Sequence, residues 1–216
     1  MTQQLHFAEA ATLQDLGTYV KRARRIQEQG IRLQAVGSVL AAWVPVMTPN
    51  TLTSGVPAVL GLRTMALAEP TTADATVELG SISERLARLN PAEVSLPLPP
   101  SRINARWAAV TPPRSGWEAV GAESDQRLRE AADAGITEIA QAVPTSAGAH
   151  VVEQVREKVW GRPLAAAGID IPAGAAFGAL SLGFLSGEEG AETRIHRLGR
   201  WLRLSSAGGF ILCRMP

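Results

Sequence analysis

The stretch that decides the fold is GRWLRLSSAGGFILCR, residues 199–214, which carries the chain's one cysteine, Cys213, among Arg200, Arg203, Arg214 and Trp201. It reads as a reactive thiol in a cationic pocket, as a nucleic-acid platform, or as the last hairpin of a sheet. A basic helix is also open to it, because Ile195, Leu198, Trp201 and Leu202 share one helical side. The strand reading is preferred. Ser206-Ala207-Gly208 suits a three-residue hairpin loop with glycine in the left-handed position, and FILCR has strand composition. That register sets Leu204 opposite Phe210 and Leu202 opposite Leu212, with Trp201, Cys213, Arg203 and Ile211 on the other face. A slip of one residue would exchange the faces.

Upstream of the hairpin, AGAAFGALSLGFL predicts a helix from Pro172 with no polar side, the buried centre of its half. Val151, Val152, Val155 and Val159 predict a helix over 146–160, starting after Thr145 and stopping at Gly161. Leu128, Ala131, Ala132, Ile136 and Ile139 predict another over 124–142. Between Asn90 and Gly121 the prolines Pro91, Pro97, Pro99, Pro100, Pro112 and Pro113 mark a boundary between two halves. Within it SRINARWAAV reads as a strand, and TPPRSGW pins Trp117 at the junction; a partner-docking loop is the alternative.

Nearer the N-terminus, Leu13, Leu16, Val20 and Ala23 predict a helix after Thr12, with Asp15 in a capping role and Gly30 as the stop. Lys21, Arg22, Arg24 and Arg25 complement its dipole and read as a solvated face rather than a phosphate patch. IRLQAVGSVLAAWVPV predicts a hairpin folded at Gly37-Ser38, residues 58–67 a third strand, ATVEL a brief one, and ISERLARL a helix started by Ser81. The expected fold is α+β, an antiparallel sheet with packed helices whose helical C-terminal half is closed by a β-hairpin. Residues 1–111 and 112–216 would be the two halves of one compact unit.

Chemistry is sparse. The chain has 216 residues, 21 basic and 20 acidic, for a net charge of +1. No global field recruits nucleic acid, which is therefore disfavoured as a partner, so a local patch would have to do so. Cys213 lacks a nearby base, because His6, His150 and His196 fall in separate elements and His196 should sit beyond the paired part of the hairpin. No ligand pair has zinc spacing, and Glu188 and Glu189 are only an acidic turn. Neither a phosphate-binding glycine loop nor a GxSxG turn is present. No catalytic residue, cofactor or metal site is assigned. The apolar runs are too short to span a bilayer, and one cysteine with no basic leader suits the cytoplasm.

What remains is a binding signal on Arg197, Trp201 and Arg203, with Arg194 nearby, and on Trp117. A strand pair bearing arginine and aromatic rings can stack bases and hold phosphate. The plainer account is an arginine lying over a tryptophan as a cation–π contact.

The segments LQAVGSVLAAWVPV, VLGLRTMALAEP, TPPRSGWEAVG, VWGRPL and GRWLRLSSAGGFILCR, in this order, resemble a conserved family of uncharacterised proteins from high-GC Gram-positive (actinobacterial) bacteria. The resemblance spans nearly the whole chain and implies a cytoplasmic bacterial protein, with no site residue transferred. The expected function is non-catalytic, through a protein partner or a second copy. The alternatives are nucleic-acid binding through the Arg/Trp face, or an enzyme or small-ligand binder with a cleft between the halves.

Overall fold

The computed structural model describes residues 3–49, 55–109, 111–144 and 147–216. These form an α+β fold in two compact units, Met1–Pro45 with Leu62–Thr111, and Val46–Gly61 with Pro112–Pro216. The strands are β1 (Gln4–His6), β2 (Ile31–Met47), β3 (Ala58–Val77), β4 (Ser95–Pro97), β5 (Glu118–Ser124), β6 (Pro163–Ala166), β7 (Ile169–Pro172), β8 (Glu192–Leu198), β9 (Trp201–Ser206) and β10 (Gly209–Arg214). The helices are α1 (Ala10–Ala23), α2 (Leu79–Arg88), α3 (Asp125–Ala142), α4 (Ala149–Trp160) and α5 (Ala173–Ser181). One six-stranded sheet has the order β2-β3-β10-β9-β8-β5, and β1-β4 and β6-β7 are separate pairs.

In the first unit, α1 buries Leu13, Leu16, Tyr19, Val20 and Ala23 along one side, as its spacing predicts. The cap differs. Helix α1 starts two residues before Thr12, and Asp15 instead takes two hydrogen bonds from Arg63, at 2.5 and 2.8 Å. The predicted hairpin at Gly37-Ser38 is a single 17-residue strand. Gly37 does adopt φ +59°, but one left-handed residue kinks a strand as a bulge does and reverses it only with a partner in the turn. Burial falls on Ile31, Leu33 and Ala35, then on Leu40, Ala42 and Val44, so the inward parity changes across the kink. The two predicted strands around 58–67 and 75–79 are one strand, β3, with Pro70 exposed within it and Leu79 already in α2. Of the predicted strand over 101–110, residues 101–109 form none, and 110 lies outside the described residues; Arg106–Ala109 is a 3₁₀ turn whose Trp107 is buried and donates to the Gln29 carbonyl at 3.3 Å.

The second unit keeps the predicted helices and adds β5 and the β6–β7 hairpin, which the spacing did not signal. Ser124 caps α3 by accepting from the Arg127 amide at 3.2 Å. Helix α4 ends at Gly161, whereas its predicted start at Thr145 lies outside the described residues. Helix α5 is short and buried through Gly174, Ala175, Ala176, Gly178 and Ala179, and a Cβ at Gly178 would press on the Ile211 and Val46 methyls at 3.1 Å. Asp125, 2% exposed, takes hydrogen bonds from the Thr193 hydroxyl and the Ser186 amide, both at 2.6 Å, which ties α3 to β8.

The closing segment is a hairpin, but its register differs from the expected one. Ala207-Gly208 is a two-residue turn, so Leu204 faces Ile211 and Leu202 faces Cys213. The faces of β9 stand as expected, while those of β10 are exchanged. The reason lies outside the hairpin. The Gly208 amide donates to the Phe184 carbonyl at 3.0 Å, and a Cβ there would meet the Phe184 Cα at 2.7 Å. The turn is seated on a neighbouring backbone that local composition does not reveal.

Candidate nucleic-acid interface

Two arginine-rich surfaces stand out, one in each unit. The first is the face of β8–β9–β10 that carries Trp201. Arg194 pairs with Ser205, His196 with Arg203 and Leu198 with Trp201 across β8–β9, so these six side chains share one face. Phe210, Leu212 and Arg214 join them from β10. His196 thus lies inside the ladder, also opposite Ala119 of β5, and not beyond the paired part.

Of the expected site residues, the structure brings together Trp117, Trp201 and Arg203 and separates Arg197. Arg197 is opposite Leu202 and Glu118, on the reverse face, because strand side chains alternate. The guanidinium of Arg203 lies 4.8 Å from the Trp117 ring centre and 6.0 Å from that of Phe210. The cation–π contact therefore involves Trp117, from a segment more than eighty residues upstream, and not Trp201. Trp117 is half-buried and closes its own loop by donating from Nε1 to the Pro113 carbonyl at 3.0 Å. Burial lowers the pKa of Arg203 below the ordinary guanidinium value. His196 is held toward its neutral form, first by burial and then by the charge of Arg203, against a backbone contact that favours protonation.

The thiol reading fails on the same geometry. Cys213 points to the opposite face, is fully buried, and burial pushes its pKa far above the ordinary thiol range, so little thiolate is present at neutral pH. Among the described residues no three His, Cys, Asp or Glu side chains are placed to hold a metal ion. No helix among them is long and apolar enough to cross a membrane.

The second surface is on α1 and α2, which pack side by side in the first unit. Their buried residues, Leu16, Val20, Ala23, Leu79 and Ile82, face inward. The outer side and the turn after α1 carry Lys21, Arg22, Arg24, Arg25, Arg85 and Arg88 against Glu28 and Glu84. Arg24 bridges the helices by donating to Ser83 Oγ at 3.3 Å, and it touches Glu28 at 3.4 Å. The Arg88–Glu84 pair is 3.8 Å long and almost fully exposed, which makes it a weak partner. Lys21 and Arg25 are exposed. The basic run on α1 was legible in the sequence, but read as a solvated face; Arg85 and Arg88 lie sixty residues away and join it only in the fold.

Residues 1–107 match the family described as Domain of unknown function (DUF8010), and residues 112–216 match Domain of unknown function (DUF8185). Together they cover nearly the whole chain. No curated protein matches the sequence. Among solved structures, the fold is similar to a candidate DNA polymerase III beta subunit from Eubacterium rectale, at 10% identity and TM-score 0.57 over 99% of this chain. It is also similar to a beta sliding clamp from Caulobacter crescentus, at 13% identity and TM-score 0.52 over 100% of the chain. A third likeness is to the DNA polymerase III subunit beta from Pseudomonas aeruginosa, at 12% identity and TM-score 0.50 over 100% of the chain. This chain spans 65% of the length of each of those chains.

The disfavouring of nucleic acid as a partner is corrected by this likeness: the fold is one that DNA polymerase sliding clamps use. Net charge was the wrong quantity to read. It averages over a surface on which most charges cancel, whereas a phosphate backbone responds to the local density of arginine and lysine.

Proposed function

We propose that this chain is a non-catalytic, clamp-type scaffold that associates with DNA through the basic face of α1 and α2. The observation that carries the reading is the crowding of Lys21, Arg22, Arg24, Arg25, Arg85 and Arg88 on one helix pair in a chain of net charge +1. Lys21, Arg24, Arg25 and Arg88 are exposed, with Arg22 and Arg85 half-buried beside them, and such basic side chains can follow a phosphate backbone without reading bases, releasing counterions as they do so. Fold likeness to DNA polymerase III beta subunits supports the same reading. Association with a protein partner or a second copy of the chain, the expectation from the sequence, is compatible with this reading.

The test is fluorescence anisotropy of a labelled duplex over a range of salt. We expect sequence-independent binding whose affinity falls with salt by about 0.9 in the logarithmic slope for each phosphate contacted. Binding that is absent at low ionic strength would remove the proposal. So would binding unchanged in a Lys21→Glu, Arg25→Glu variant that keeps its fold.

A further inference from the structure

We propose that Arg194, His196, Arg203 and Ser205 form a phosphoryl-binding site on the Trp117 side of β8 and β9, separate from the α1–α2 surface. The register makes these residues a two-by-two patch, Arg194 opposite Ser205 and His196 opposite Arg203. Strand spacing sets the patch at about 5 Å across the strands and about 7 Å along them, the size of a phosphate group with its ligands. Three polar atoms within it are withdrawn from solvent and have no hydrogen-bond partner among the described residues: Arg203 Nε, Ser205 Oγ and His196 Nδ1. Buried polar atoms are ordinarily paired; Arg203 Nε and the Ser205 hydroxyl, two positions apart on one face of β9, are donors that call for one acceptor, and His196 Nδ1 joins them as a donor when the ring is protonated.

The charges around the patch agree. From β5 it is faced by Ala119 and Ala122, and from β10 by Phe210 and Leu212, none of which carries charge. Arg214 shares the face, at the Trp201 end. Glu192, opposite Ser124, is the carboxylate on the same side of β8, whereas Glu118 and Glu123 pair with Arg197 and Thr193 and so lie on the reverse face. Arg203 therefore sits half-buried against two aromatic rings with no acid opposite it. An oxyanion there would satisfy the Arg203 and Ser205 donors together, and a protonated His196 would add a third bond. Two arginines, a hydroxyl and a titratable ring, arranged on two strands, suit a tetrahedral dianion better than a planar carboxylate.

The experiment follows the His196 ring by NMR in the full chain while inorganic phosphate is added across pH 6–8. We expect a saturable shift and an upward move of the His196 titration. In Arg203→Gln the affinity should fall about tenfold, because a charged hydrogen bond is lost. Ser205→Ala, a smaller change that keeps the fold, should weaken binding by a few fold. Parallel arms use adenosine monophosphate and a short duplex. Displacement of phosphate by the duplex identifies the phosphoryl source as a strand, and displacement by the nucleotide alone identifies it as a small ester; either sustains the site. A shift that never saturates would overturn the proposal, as would an identical curve in folded Arg203→Gln. Loss of duplex binding through α1–α2 leaves the phosphate readout untouched, so the two ideas fail separately.

Discussion

The helix pair and the sheet face use the same residue type in opposite ways. On α1 and α2, Lys21 and Arg25 extend into water, and the Arg24–Glu28 and Arg88–Glu84 pairs are exposed and weak. On β8–β9 the single residue Arg203 is half-buried, stacked over Trp117, and has its proton affinity lowered by burial. Exposed arginines offer long-range, salt-sensitive attraction to any polyanion. A desolvated arginine offers a short-range site that selects by shape, since it interacts strongly only with a group that replaces its lost water. The difference teaches that counting arginines says little until burial is known.

The comparison breaks first, and most visibly, on DNA affinity. Reversing charge in Lys21→Glu, Arg25→Glu should lower duplex affinity about 100-fold at low salt and flatten the salt slope by about 2, read by anisotropy. Trp117→Ala should leave both within about twofold. The opposite ranking would transfer the DNA surface to the sheet.

Next in size is packing. Gly208→Ala should destabilise the protein by about 2–3 kcal/mol in urea unfolding, because its Cβ would meet the Phe184 Cα at 2.7 Å and the Gly183 carbonyl oxygen at 2.8 Å, backbone atoms that cannot turn aside. Gly17→Ala on α1 has nothing within 4 Å and should stabilise by about 1 kcal/mol through helix propensity. Together these sharpen the contrast between an open helix surface and a tightly seated hairpin.

Trp117→Ala should cost about 1 kcal/mol by the same measurement, the scale of one partly desolvated cation–π contact. The smallest effect belongs to Asp74. Arg32 donates to its carboxylate at 2.6 and 2.8 Å and holds its pKa below the ordinary value of 3.8. A depressed folded pKa means that this stability is present above the unfolded pKa and is lost as pH falls through the folded one. Wild type should therefore exceed Asp74→Asn by less than about 1 kcal/mol at pH 7, since the pair is partly exposed, with the gap closing in acid unfolding below about pH 4.

Much of the fold was legible where a helix has one apolar side. Leu13, Leu16, Val20 and Ala23 announced α1, Leu128 and Ala132 announced α3, and the all-apolar run from Ala173 announced a buried α5. Strands were harder. Gly37 looked like a turn because its left-handed preference is local, yet the continuing ladder absorbed it as a kink in β2. Strand β5 was missed because EAVGAES carries neither an apolar alternation nor a branched run. The site was half legible: Trp117, Trp201 and Arg203 do share a face, and Arg197 does not.

By itself, the sequence determined which segments could bury an apolar side and that Gly161 would end α4, since those preferences act within a few residues of one another, whereas α1 stops at Ala23, short of Gly30, and α2 starts at Leu79, before Ser81. It also set the alternation along β9, which put Leu202 and Leu204 inward and Trp201 and Arg203 outward. Tertiary structure alone decided the register of β10, the separation of Arg197 from Arg203, the meeting of Trp117 with Arg203, and the joining of Arg85 and Arg88 to the α1 cluster. Each of these depends on contacts between residues far apart in the chain. Such contacts change a face by a one-residue shift and leave no local trace in composition.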